Sequence, residues 1–167
     1  MDKEVTGGLV NVVPVLVGGA IALLDGHLGV WLEHRRSRKS LARAIAGEVE
    51  SILLIIEKRQ YLSRLEQMIA LQTEIRQPLP FHFSVKYNYF EVFQANAGKI
   101  GDLPSWVAGK VVSFYTIAKA LLEEANPPEG FDNSENVLGV LTEQRDLLEE
   151  LIRLDKQTVI DLEGESR

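Results

Sequence analysis

Residues 5–24 read VTGGLVNVVPVLVGGAIALL and residues 34–39 read HRRSRK; these two stretches together decide the fold. The first carries no charge. Asp25 and His27 interrupt it, and LGVWL at residues 28–32 resumes it. A membrane-spanning helix needs about 20 mostly apolar residues to cross about 30 Å of hydrocarbon, and this segment is long enough. Its flanks differ: residues 1–4 hold two acids and one lysine, whereas Arg35, Arg36, Arg38 and Lys39 form a basic cluster. Positive charge stays on the cytoplasmic side. The expectation is therefore a single-pass inner-membrane protein with its N-terminus outside and its C-terminal domain in the cytoplasm. Trp31, just before the basic cluster, stands where an interfacial aromatic belongs. Trp31, Arg35, Arg36, Arg38 and Lys39 are the expected inner-interface anchors. A cleavable signal peptide is the rival, since Ala20-Ile21-Ala22 mimics a small-x-small site. Against it, the basic residues lie downstream of the apolar run instead of upstream.

Within the apolar run, Gly7, Asn11, Pro14, Gly18, Ala22, Asp25 and Gly29 recur at intervals of three and four. At about 100° per residue they share one stripe, with Val12, Val13, Leu16, Val17, Leu23 and Leu24 elsewhere on the wheel. Small residues let helix backbones approach closely, and a membrane asparagine seeks a hydrogen-bonding partner. The stripe is expected to pack on another helix, from a second copy or from another membrane protein. Asp25 is an ionisable group inside or near the bilayer, and such groups mark function by default. Lying close to the basic cluster, it could instead snorkel to the interface or pair with Arg35 or Arg36 of a neighbouring copy.

The rest of the chain reads as an acidic, all-helical domain. The net charge is −6 over 167 residues, with the acids concentrated toward the C-terminus. Such a surface repels nucleic-acid backbones, so no nucleic-acid partner is expected. Helices are expected at about residues 37–76, 89–97, 105–125 and 135–162. Leu41, Ile45, Val49, Ile52, Ile56, Leu62, Leu65 and Ile69 recur at helical spacing along the first, which Pro78 and Pro80 terminate. Residues 81–88 form an aromatic linker. Asp102 stands where it can cap the helix over 105–125, whose face is Val107, Val111, Phe114, Ala118, Leu121 and Ala125. Asn133 and Ser134 are candidate caps of the last helix. Its face is read as Leu138, Leu141, Leu148, Ile152, Val159 and Leu162, followed by a frayed tail. These elements make a fold of class all-α: an N-terminal transmembrane anchor (residues 1–34), then an antiparallel cytoplasmic bundle (35–167).

Residues 89–101, YFEVFQANAGKIG, followed by VSFYT at 112–116, resemble a pattern in small uncharacterised bacterial proteins that look membrane-anchored and helical. The resemblance covers about a quarter of the chain. It implies a bacterial or phage-like origin and no assigned activity. Asn96 and Lys99 are the residues in it without an obvious packing role, and are possible contact residues.

Chemistry is hard to find. Cysteine is absent, which removes disulfides, thiolate metal sites and cysteine nucleophiles. His27, His34 and His82 show no metal-ligand spacing. Glu48, Glu50, Glu57 and Glu66 lack the histidine three residues on that a di-iron bundle needs, and read as solvated or paired with Arg59 and Arg64. Gly18-Gly19 has no following lysine for a phosphate loop. No catalytic residue, metal, cofactor or small-molecule substrate is expected, and the chain is not read as an enzyme. The leading expectation is an interaction scaffold or accessory subunit that meets membrane lipid and assembles through its anchor and bundle. A homo-oligomeric pore or membrane-disrupting effector is the first alternative. A soluble helical oligomer with a buried N-terminal helix is the second.

Overall fold

The computed structural model describes residues 4–75, 89–125 and 136–166, with side chains from residue 28 onward. The protein is all-α. Five α-helices follow one another among the described residues: α1 (Glu4–Lys58), α2 (Tyr61–Ile75), α3 (Glu91–Asn96), α4 (Ser105–Ala125) and α5 (Val137–Ser166), with a 3-10 turn over Ala97–Asp102. The chain divides into two compact units, Met1–Arg38 and Lys39–Arg167, against an expected division after residue 34. Among the described residues, no helix is long and apolar enough to cross a membrane. The apolar run that motivates an anchor, residues 5–24, lies outside the residues whose side chains are described.

In the second unit the helix directions follow from their contacts. The Arg43 guanidinium donates to the Ser166 carbonyl at 2.9 Å, and further along α1, Glu50 faces Asp155 electrostatically. The start of α4 meets the end of α5 through Lys110 and Asp161, and the end of α4 meets the start of α5 through Glu124 and Glu143. Both α1 and α4 therefore run antiparallel to α5. The core they enclose holds Leu41, Ile45, Val49 and Ile52 of α1, Val107, Val111, Phe114 and Ala118 of α4, and Leu151 and Leu162 of α5. Each of these side chains larger than Ala118 contributes about 1.5–3 kcal/mol by leaving water. A smaller cluster joins Leu65 of α2 to Leu141 and Leu148 of α5.

Three expectations are corrected here. The single helix over 37–76 is broken at Arg59 and Gln60. Gln60 sits in left-handed geometry at φ 54°, and its N–H reaches back only three residues, to the Glu57 carbonyl. The cause is visible in the apolar register. The stripe 41-45-49-52-56 would next land on Arg59, Gln60 and Ser63, whereas the apolar residues are Tyr61, Leu62, Leu65, Met68 and Ile69. The break rotates α2 so that Leu65 points inward.

The face of α5 is the second correction. Its buried residues are Leu141, Gln144, Leu148, Leu151, Asp155, Thr158 and Leu162. Leu138 is exposed, and Ile152 and Val159 are only partly buried. Three polar residues occupy the true inward stripe, so a search for apolar residues picks positions beside it. The tail is the third. Helix α5 continues to Ser166, tied by the Arg43 bond and by the Ser166 hydroxyl on the Glu163 carbonyl at 2.9 Å.

The remaining element boundaries are as follows. Asn136 stands at the start of α5, its carbonyl accepting from Val140 at 3.1 Å and its side chain covering Gly139, where a Cβ would collide with it. Asn133, Ser134 and the 81–88 linker lie outside the described residues. The expected short helix over 89–97 is α3 followed by the 3-10 turn, and the Pro104 carbonyl accepts the first backbone bonds of α4, from Val107 and Ala108 at 2.9 Å each.

Candidate functional site

Two regions hold chemistry beyond plain packing. The first is the end of the first unit. Leu28, Val30, Trp31 and Leu32 are each 44–59% exposed. At 100° per residue Leu28, Trp31 and Leu32 fall within about 100° of one another, and Val30 stands on the other side of the helix. The Arg35 guanidinium lies 5.5 Å from the centre of the Trp31 ring. That distance suits a cation–π contact, which fixes a charged head beside an amphipathic ring. Arg36 is exposed, and Arg38 and Lys39 are partly buried. Of the expected stripe, only Gly29 has a described position, and a Cβ built on it meets nothing within 4 Å. Gly7, Asn11, Pro14, Gly18, Ala22 and Asp25 lie among the residues whose side chains are not described.

The second region is built inside the bundle, around Glu48. Helix α3 has no capping side chain of its own: Phe90 precedes it and makes no side-chain cap bond. The first-turn N–H groups of a helix need acceptors, and Glu48 of α1 supplies them from across the fold. Its carboxylate accepts from the Val92 N–H at 2.7 Å, the Phe93 N–H at 2.9 Å and the Tyr115 hydroxyl at 2.5 Å. Phe93 stacks on the Tyr115 ring at 3.9 Å between centres, with Phe90 and Phe114 edge-on to it. Burial and the neighbouring Glu48 carboxylate hold the Tyr115 hydroxyl well above its ordinary range. Glu48 is thus neither solvated nor paired with arginine, as its sequence context had indicated; it clamps α3 onto α1 and α4. The residue types it joins all belong to the YFEVF and FYT stretches.

Asn96 donates from its side-chain amide to the Val92 carbonyl at 2.8 Å, a bond within its own helical turn. Lys99 is exposed on the 3-10 turn. Arg59 turns its guanidinium to the Tyr61 hydroxyl at 2.8 Å and also engages Tyr89, so it braces the α1–α2 break.

Two buried polar side chains and one partly buried carboxylate escaped the sequence reading. Asp155 is 1% exposed, and its Oδ1 has no hydrogen-bond partner. Burial, then the nearby Glu50, push its carboxyl up to about 7, against the weaker pull of Lys156. Gln144 is 5% exposed with its Oε1 likewise unpartnered. Glu124, on α4, is pushed up by burial and by Glu143. No trio of side chains among the described residues is placed to hold a metal ion. No family model, curated protein or solved structure matches the chain.

Proposed function

We propose that the protein is a single-pass membrane-anchored scaffold or accessory subunit, with residues 5–32 in the inner membrane and the acidic bundle on the cytoplasmic side. The observation that carries this reading is the stretch 28–32: four large apolar side chains, Leu28, Val30, Trp31 and Leu32, all exposed, followed at once by Arg35, Arg36, Arg38 and Lys39. In water an exposed apolar surface of this kind is unfavourable. At a bilayer boundary it is favourable: the apolar residues meet lipid, Trp31 and Arg35 sit at headgroup level, and the cations face anionic lipid.

Assembly is assigned to the stripe Gly7, Asn11, Pro14, Gly18, Ala22, Asp25 and Gly29, on the small-residue and polar logic of membrane helix packing. The bundle has its own core and presents the interaction surface in the cytoplasm. The test is the mass of the full chain in mild detergent, by light scattering, beside that of residues 39–167 alone. A defined full-length oligomer and a monomeric truncation place assembly in the anchor. A full chain that stays monomeric in detergent and brings down no membrane protein from its native membrane refutes an assembly role.

A further inference from the structure

In the second unit, α1 and α4 both come from the end of the bundle where α5 finishes, through the Arg43–Ser166 and Lys110–Asp161 contacts. The unit itself begins at that end, with Lys39. Trp106 belongs to the same end. It lies in the first turn of α4, four residues before Lys110 and so about 6 Å beyond it along the helix axis. Helical side chains lean toward the N-terminus of their own helix, which tilts the indole toward this end. Trp106 is 52% exposed. Its neighbours Ser105 and Gly109 are small and exposed, and a Cβ built on Gly109 meets nothing within 4 Å. The Lys110 ammonium lies 5.4 Å from the centre of the Trp106 ring. The same arrangement, with the cation four residues after the tryptophan, occurs at Trp31 and Arg35, and these are the two tryptophans of the chain. A lone exposed aliphatic side chain needs no explanation. An indole differs, because its apolar body and polar N–H suit the boundary between hydrocarbon and headgroups.

We propose that Trp106 is a second interfacial anchor, which lays this end of the bundle against the phospholipid headgroup layer of the bilayer that holds residues 5–32. The inference rests on the membrane-anchor reading above. Charges of both signs meet at this end: Lys39, Arg43 and Lys110 against Asp102, Asp161 and Glu163. Attraction to anionic lipid is therefore not the driving force; partition of the indole is. One indole is too small a contact to hold the bundle at a membrane unaided. Once the N-terminal helix is inserted, the lipid is present at high effective concentration and the same contact forms. Residues 39–167 alone accordingly stay in water.

The test uses the full chain in phosphatidylcholine vesicles and two variants, Trp31→Phe and Trp106→Phe, each of which leaves a single tryptophan. Fluorescence is read with a nitroxide carried on the lipid headgroup and, separately, deep in the acyl chain. In Trp31→Phe, Trp106 is expected to lose emission to the headgroup nitroxide, and to lose more to it than to the deep one. Trp106 left unquenched while Trp31 is quenched overturns this inference alone. A blue-shifted but unquenched Trp106 overturns it too, since that is burial against protein, such as a second copy. If Trp31 is unquenched in Trp106→Phe, the membrane-anchor reading fails and takes this inference with it. The unaltered chain gives a check that needs no variant. With isotope-labelled indoles in lipid nanodiscs it shows two indole N–H resonances, and the headgroup nitroxide should broaden both. Broadening of one alone overturns the proposal.

Discussion

Asp155→Asn is expected to stabilise the bundle at alkaline pH and to do little in acid. In the folded protein the Asp155 carboxyl titrates at about 7, against 3.8 for the free side chain. The folded state therefore holds a proton that the unfolded state has released between these values. Stability contributed by this group is complete below about pH 4, declines as pH rises through that window, and is gone above about pH 7. A displacement of about three units corresponds to at most about 4 kcal/mol. Relaxation around the ionised group would trim this, so roughly 2–4 kcal/mol is the expected cost of carrying the charge at about pH 8. Asparagine has the same shape and never ionises. For a chain of this size each kcal/mol moves Tm by about 2–4 °C or somewhat more. The variant should thus melt on the order of 10 °C above the parent near pH 8, and within a few degrees of it near pH 4. Thermal unfolding followed by circular dichroism across that range measures the gap. A gap independent of pH, or a variant less stable than the parent at alkaline pH, refutes the reasoning, because either would mean that Asp155 is not a neutral buried acid.

Glu48→Gln should cost about 2–3 kcal/mol in denaturant unfolding, since the amide cannot accept from all three donors and loses the charge that strengthens those bonds. Tyr115→Phe should cost about 1 kcal/mol alone and nearly nothing in the Glu48→Gln background, which a double-mutant cycle reads directly. Gln60→Gly should raise stability by up to about 1 kcal/mol, because left-handed geometry strains a residue bearing a Cβ. A loss in that variant would show that the Gln60 side chain matters more than its backbone.

Helix content was legible where apolar spacing was regular and undiluted. The stripe of Val107, Val111, Phe114 and Ala118 defines α4, and Ser105–Ala125 is the helix observed. The inward face of α5 was not legible because Gln144, Asp155 and Thr158 interrupt it. Periodicity weighs residue type, and burial of a polar group depends on what surrounds it in three dimensions. The α1–α2 break was present in the sequence as a slip of apolar register at Gln60, without proline or glycine to announce it. Glu48 could not have been singled out: its donors lie 44 to 67 positions away, and only the folded chain brings them together.

The central claim is that the chain is held in a bilayer by its N-terminal helix, and flotation of the full chain with lipid vesicles after alkaline carbonate washing tests it most directly. The account predicts that the full chain floats with the lipid and resists extraction, and that residues 39–167 stay at the bottom of the gradient. Recovery of the intact chain in the aqueous fraction, free of lipid and detergent, would contradict it.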